Sequence, residues 1–268
     1  MSRESSEPYQ ELIQPIIQIA YQAGRRIMEI YDQGFQVEEK SDHTPLTEAD
    51  LAADSTITQG LNELTPGIPI LTEESDSIPF CEREKWPLYW LVDPLDGTRE
   101  FINRTGEFTV NIALIKDSKA VLGVIYAPVV GCLYYASRGM GAFKKNELDD
   151  PVSIQVRKCP EKVIVAGSRN RRSDEFNHFI EKLPEYEVLS MGSALKSCLV
   201  AEGVADIYPR LGPTSEWDTA AAQCIVEEAG GRITDTNMQT LRYNCKDVLL
   251  NPHFFVFGDD SIDWSEFL

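Results

Sequence analysis

Positive charge is scarce in this chain and histidine scarcer: 25 Lys and Arg stand against 43 Asp and Glu, with three His, for a formal net charge of −18 over 268 residues. That balance repels polyanions, which argues against a nucleic-acid duplex or an anionic membrane surface as a bulk partner. An acidic protein that handles phosphates must then take its local positive charge from a small basic patch or from bound cations. The six cysteines, at 81, 132, 159, 198, 224 and 245, contain no C-x-x-C pair and no regular spacing. Neither a zinc framework nor a disulfide scaffold is expected, and the thiols read as buried and reduced. No apolar run reaches the about 20 residues that a membrane-spanning helix needs; the longest is Val121–Val130. Met1–Gln10 is polar and lacks the apolar stretch of a signal peptide, so a cytoplasmic protein is expected. Repeats, low-complexity segments, an EF-hand loop and a G-x-S-x-G element are absent. His43, His178 and His253 therefore read as surface or packing residues rather than members of a hydrolase triad. Gly139-Met-Gly141 lacks the rest of a dinucleotide fingerprint and reads as a hairpin turn.

What is present is ordinary globular composition, 43% hydrophobic and 25% charged, organised in two rhythms. Leu12, Ile13, Ile16, Ile17, Ala20, Ala23, Ile27 and Ile30 recur at helical spacing and predict a long amphipathic helix with Pro15 in its first turn or at a kink. A second helix is expected from near Thr47. Strand-like runs follow at 68–72, 89–92, 109–115, 120–126 and 133–136, with turns at Asp117-Ser118-Lys119 and near Gly131, which predicts an antiparallel meander. After about residue 157 strands and helices alternate, so the expected architecture is an α+β lobe over 1–157 and an α/β lobe over 158–268.

The most informative segment is Trp90-Leu-Val-Asp93-Pro-Leu-Asp96-Gly97-Thr98. An apolar strand ends on Asp93, and Pro94 and Gly97 force a tight turn that holds Asp96 and the Leu95 carbonyl beside it. Such oxygens suit a hard cation like magnesium. Gly97-Thr98-Arg99-Glu100-Phe101 then reads as a helix start, whose N–H groups suit a phosphate. Plain turn chemistry would also explain the stretch. Glu73 and Glu74 follow the strand at 68–72, so one of them ends it. Asp50 and Asp218 stand at helix starts where each fits a capping box, a structural role as good as a catalytic one in isolation. Together these acids could gather two cations, the arrangement that at a separation of about 3.5–4 Å drives in-line phosphoryl displacement. Asp96-Gly97-Thr98 is also similar to the signature of aspartyl-phosphate phosphatases, but the nucleophile's place is taken by Pro94, which excludes covalent aspartyl catalysis at this motif.

These residues resemble the inositol monophosphatase superfamily, whose signature is D-P-[IL]-D-G-T with W-D near the start of a later helix. The resemblance is to its 3′(2′),5′-bisphosphate nucleotidase branch. It is carried by Leu71-Thr-Glu-Glu74, the segment Trp90–Phe101, Gly106–Leu114, Gly192-Ser-Ala-Leu-Lys196, Ala201-Glu-Gly203, Tyr208-Pro-Arg210 and Glu216-Trp-Asp218, in order along nearly the whole chain. It implies a layered αβαβα sandwich and Mg²⁺-dependent hydrolysis of the 3′-phosphate of adenosine 3′,5′-bisphosphate to AMP. The sulfated relative 3′-phosphoadenylyl sulfate is a further implied substrate, and lithium an implied inhibitor. Carried over, the ligands of two or more Mg²⁺ are Glu73, Asp93, the Leu95 carbonyl, Asp96 and Asp218. Thr98, with Glu73 and Asp50, would orient and deprotonate the attacking water, and Leu95, Asp96, Gly97, Thr98 and Asp218 would surround the scissile phosphate. Ser168, Arg169, Ser193, Lys196 and Arg210 are candidates for the second phosphate and the base; a solvated helix face stays open for Lys196 and a plain charged loop for Arg169–Arg172. The chain departs from the pattern at Arg99, where relatives often have Lys, at Ala194, where they have Ser, and at Arg171, which takes the place of a His. An inositol-phosphate or sugar-phosphate phosphatase is the rival within the class; a non-catalytic metal-binding regulator is the rival outside it, and would require neither Asp50 nor Thr98. Oligomeric state stays open, as does peripheral association with an inner membrane.

Overall fold

The computed structural model describes residues 9–35, 37–39, 45–75, 78–146, 148–168 and 173–268. Along the chain run α1 (Ile13–Gln33), β1 (Val37–Glu39), β2 (Pro45–Thr47), α2 (Glu48–Leu64), β3 (Ile70–Thr72), α3 (Phe80–Arg83), β4 (Leu88–Asp96), α4 (Thr98–Ile102), β5 (Thr109–Lys116), β6 (Lys119–Ala127), β7 (Cys132–Ser137), β8 (Gly141–Asn146) and β9 (Val152–Ile154). The second half contributes β10 (Val163–Gly167), α5 (Asp174–Glu181), β11 (Tyr186–Ser190), α6 (Leu195–Ala201), β12 (Ile207–Arg210), α7 (Glu216–Glu228), β13 (Arg232–Asp235) and β14 (Phe254–Phe257).

A seven-stranded sheet follows chain order from β3 to β9, parallel only between β3 and β4. A five-stranded sheet has the order β11-β10-β12-β14-β13. Strand alternation assigns the two faces of the large sheet. Trp90, Val92, Val110, Ile112 and Leu114 face α1 and α2 in one core, while Tyr89, Leu91, Ala113 and Ile115 join α6 and α7 in another. A third core lies on the far side of the small sheet, where Val165, Ile207, Phe255 and Phe257 meet Phe176, Phe179 and Ile180 of α5. The layers are therefore helix, sheet, helix, sheet, helix.

The central helix α7 reaches both sheets because its facing surface is small. Ala220, Ala221 and Ala222 are all buried, and a Cβ on Gly123 of β6 would stand 2.3 Å from the Ala221 carbonyl oxygen. The sandwich closes only where glycine lets the helix backbone meet the strand. The core around α7 also spans the link at residue 157, since it joins residues of β5 and β7 to Val226, Ile233 and Val256.

Some local expectations hold and others change. Pro15 lies in the first turn of α1 without ending it. β4 does not stop at Val92 but runs to Asp96 with a register shift between Asp93 and Asp96 against β5, because Pro94 has no N–H to give the ladder. The turn at Gly139–Met140 does join a hairpin, but its second strand β8 breaks alternation at Lys144 and Lys145, the edge strand β9 is only three residues long, and neither was expected. All six cysteines are free; Cys132, Cys198 and Cys224 are buried, whereas Cys81 and Cys245 are exposed, against the expectation of burial. His178 and His253 are exposed, and His43 lies outside the described residues. Among the described residues no helix is long and apolar enough to cross a membrane.

Candidate active site

Four elements deliver carboxylates to one cleft between the sheets. The bulge in β4 sets the first two. Once Pro94 leaves the ladder, the Leu95 N–H turns back to donate to Asp93 Oδ1 at 3.0 Å. Gly97 follows with φ at +95°, a left-handed conformation that glycine adopts at no cost and that starts α4 with Thr98 at its first position. Asp218 comes from the first turn of α7. One oxygen from each of Asp93, Asp96 and Asp218 lies within 4.8 Å of the others. Glu73, held at the end of β3 by its N–H on the Val92 carbonyl at 3.1 Å, lines the same cleft.

Asp50 and Asp218 both cap helices with one oxygen and turn the other toward Thr98 or the carboxylate cluster. Asp50 Oδ2 accepts from the Thr47 N–H at 2.8 Å and the Thr47 hydroxyl at 2.6 Å, completing the cap of α2. Its Oδ1 accepts from the Thr98 hydroxyl at 3.2 Å, and the same hydroxyl stands 3.4 Å from the Leu95 carbonyl oxygen. Asp218 Oδ2 likewise caps α7 by accepting from the Ser215 N–H at 2.8 Å. Each acid is thereby fixed by a helix start through one oxygen, while the other turns to Thr98 in Asp50 and to the carboxylate cluster in Asp218.

The electrostatics show what such a cluster requires. Burial raises the Asp93 carboxyl well above its ordinary range, and Glu73, Asp96, Asp218 and Asp50 push it further in the same direction. Asp218 is pushed up to about 8 by burial and then by Asp96. Asp96 rises to about 6; burial drives it up, while the Lys196 ammonium, the Asn111 amide and the Ala194 N–H restrain it. Asp50 is raised by burial and held back by Thr47. Buried like charges facing one another through hard oxygen donors fit divalent cations, whose charge would offset the repulsion.

Two groups that bind Asp96 were not foreseen. The Ala194 N–H donates to Asp96 Oδ2 at 2.6 Å, and Asn111 Nδ2 donates to the same oxygen at 3.3 Å. Asn111 did leave a signal, an amide inside the otherwise apolar run of β5. Ala194 left none, because a backbone donor has no side-chain signature. The turn that presents it passes through Ser193, held at a left-handed φ of 46°, a strained conformation that clusters at ligand sites.

The expected substrate groups divide. Ser168, Ser193, Lys196 and Arg210 all line the cleft, with Gly97 and Thr98 opposite. Lys196 is buried rather than on a solvated face; its Nζ donates to the Ser193 carbonyl at 2.7 Å and lies 5.2 Å from the centre of the Tyr208 ring. Arg210 donates to the Pro213 carbonyl at 2.9 Å. Glu100, Tyr208 and Thr214 also line the cleft without having been anticipated. A second cavity shares Ser168, Tyr208 and Arg210 with the first and continues between Phe176, Leu211 and Pro213. Arg169, Arg171 and Arg172 lie outside the described residues.

Residues 9–256 match the model of the "Inositol monophosphatase family". The chain is 47% identical over 247 residues to the 3′(2′),5′-bisphosphate nucleotidase CysQ of Salmonella typhimurium, covering 91% of this chain and 99% of that protein. It is 42% identical over 263 residues to the enzyme of the same name from Haemophilus influenzae, with 95% and 96% covered. Among solved structures it is similar to CysQ from Bacteroides thetaiotaomicron, described as a bacterial member of the inositol monophosphatase family, with a TM-score of 0.82, 40% identity, and 94% and 98% of the two chains covered.

Proposed function

The chain belongs to the inositol monophosphatase family, and from that premise we infer that it is a metal-dependent 3′(2′),5′-bisphosphate nucleotidase, hydrolysing the 3′-phosphate of adenosine 3′,5′-bisphosphate to give AMP. The observation that carries this reading is the adjacency of two unlike surfaces. A carboxylate cleft suited to cations and one phosphate opens, past Lys196 and Arg210, into a second cavity with apolar walls. A monophosphate of a small polyol needs only the first of these; a nucleotide with a second phosphate uses both.

Asp93, Asp96 and Asp218, with Glu73 and the Leu95 carbonyl, would hold Mg²⁺ in the proposed site, in two or more positions. Cations bound there supply charge against the phosphoryl oxygens and make a nearby water more acidic. The remaining chemistry belongs to the side chains. The Thr98 hydroxyl, between Asp50 Oδ1 and the Leu95 carbonyl, orients the water and passes its proton toward Asp50. Glu73 faces the same water from the end of β3. Oxygen from the water bonds to phosphorus as the ribose 3′-oxygen departs in line and takes a proton. Lys196 and Arg210 meet the second phosphate, Lys as a point charge and Arg as a fork. The sulfated analogue presents the same 3′-phosphate and is a second substrate on this reading. Lithium, a cation with one positive charge where Mg²⁺ has two, would inhibit on this reading.

Phosphate release from adenosine 3′,5′-bisphosphate and from inositol 1-phosphate, each with and without Mg²⁺, tests the proposal directly. Strong Mg²⁺-dependent preference for the nucleotide is expected; preference for inositol phosphate would overturn the substrate assignment while keeping the cleft. Lys196→Ala should raise KM for the bisphosphate by about tenfold, the size expected for a lost charge-assisted contact. Since the ammonium also restrains Asp96, the comparison belongs at saturating Mg²⁺ and is read as the ratio between the two substrates, which meet the same carboxylate. Equal effects on both substrates would remove Lys196 from the second phosphate.

A further inference from the structure

Behind the cleft, a buried polar relay ties two separate segments, one at Arg83 and one from 244 to 251, to the first turn of α7, and the cleft makes no direct use of it. Glu216, the first residue of that helix, is 1% exposed, and its Oε2 accepts from the Asn244 N–H at 2.7 Å. Asn244 holds a left-handed φ of 55°, which aims its N–H at Glu216 while its side chain points the other way. There its Oδ1 accepts from Arg83 Nη1 at 2.5 Å and its Nδ2 donates to the Arg83 carbonyl at 2.5 Å, closing a reciprocal ring. Arg83, also 1% exposed, donates its other terminal nitrogen to the Asp247 carbonyl. The segment from 244 to 251 then returns to α7. Leu249 accepts from the Glu216 N–H at 2.8 Å, and Asn251 Nδ2 donates to the Ser215 carbonyl at 2.6 Å.

We propose that Glu216 and Asn244 are positioning residues for the cation site, acting by fixing the rotation and depth of the α7 start that presents the free oxygen of Asp218. The composition of the relay favours this over a role in stability alone. A buried carboxyl and a left-handed asparagine are both costly, and an apolar side chain would pack the start of α7 at less expense. Among the described residues Glu216 Oε1 has no hydrogen-bond partner, so the carboxylate makes one directed contact through its other oxygen. That contact bears on a turn whose next polar side chain is Asp218, and a ligand carboxylate displaced by a fraction of an ångström loses cation affinity out of proportion to the fold's stability.

This inference rests on the cation reading of the cleft, and its test separates the two. Mg²⁺ alone, without substrate, is titrated into the full-length protein by calorimetry, and the melting temperature is measured beside it. Binding by the native protein comes first, and its absence would sink the cleft reading itself. Given binding, Glu216→Ala should weaken Mg²⁺ affinity about tenfold or more, in the range seen when groups supporting metal ligands are removed. KM for the nucleotide at saturating Mg²⁺ should not change. Glu216→Gln, which keeps an oxygen for the Asn244 N–H, should recover the native affinity to within about threefold. Asn244→Gly keeps the left-handed backbone and its N–H but breaks the ring with Arg83, and it serves if Glu216→Ala does not fold; a loss of at least about threefold is expected. Affinity within twofold of native in Glu216→Ala, or in Asn244→Gly if that is the variant that folds, would overturn the proposal even if melting temperature fell. So would failure of Gln to rescue.

Discussion

Asp93→Asn should abolish turnover and, in the absence of divalent cations, raise the melting temperature. The two halves have one cause. Asp93 is 1% exposed and faces Glu73, Asp96, Asp218 and Asp50, all of which oppose its ionisation. Asparagine keeps the shape and an oxygen for the Leu95 N–H, which Asp93 Oδ1 accepts at 3.0 Å, but removes one negative charge from the cluster. With no cation present the substitution relieves repulsion. With substrate and cation present it deletes an anionic ligand from the centre of the site, and kcat/KM should fall by about a thousandfold or more, the scale of losing a principal electrostatic group. Activity within tenfold of native would remove Asp93 from the cation site. A lower melting temperature in EDTA would show that the cluster is not mutually repulsive.

The same crowding sets a pH dependence with a definite sign. Asp96 near 6 and Asp218 near 8 both lie above the ordinary carboxylate value of 3.8. Glu216, raised by burial to about 7, adds to them. A carboxyl whose pKa is raised by folding binds protons more tightly in the native state than in the unfolded chain. Its contribution is therefore full below the ordinary value and is lost as pH climbs through the native one. In EDTA the melting temperature should fall between about pH 4 and pH 8 on this account. Mg²⁺ competes with those protons, so the stabilisation it gives should grow over the same interval. Melting curves with EDTA and with Mg²⁺ across that range measure both, and a gain from Mg²⁺ as large at pH 5 as at pH 8 would contradict the proposed ligand set.

How legible these features were depended on where each one's cause lies. Asp93, Asp96 and Thr98 share one short segment, and the strand, the proline that leaves the ladder and the left-handed glycine that ends it are all local. Asp50 and Asp218 were visible as helix-start acids, but local reasoning could not show that each caps with one oxygen and turns the other to a distant segment. Contacts between distant segments were hidden. The Ala194 N–H on Asp96 joins positions 98 apart, and Asn244 on Arg83 joins positions 161 apart. The position of α7 between two sheets was written in its alanines and in Gly123, but only the packed layers show that these small residues face each other. The strand β8 escaped notice because Lys144 and Lys145 interrupt the alternation that marks a half-buried strand, and β9 because three residues are too few to show a period.

Thr98→Val should lower kcat by about a hundredfold to a thousandfold while leaving KM for the bisphosphate nearly unchanged, the mark of a group that acts on the attacking water rather than on substrate binding. Valine matches threonine in shape and its branched Cβ suits the first position of a helix, so α4 and the backbone around Leu95 should persist. What disappears is the hydroxyl standing between Asp50 Oδ1 at 3.2 Å and the Leu95 carbonyl at 3.4 Å. Without it a water in the cleft has no link to Asp50, and its proton no short path there. Thr98→Ser restores the hydroxyl and should restore most of kcat, which a loss of packing alone would not explain. A second signature follows from the carboxylate. The Thr98 hydrogen bond is among those that hold the Asp50 pKa down against burial, so in Thr98→Val the acid must rise further. If Asp50 is the group that takes the proton, the acidic limb of the residual kcat profile moves to higher pH in the valine variant and returns in the serine one. A kcat within threefold of native, or an acidic limb that does not move, would take the proton transfer away from Thr98 and Asp50 and leave Glu73 as the residue to test.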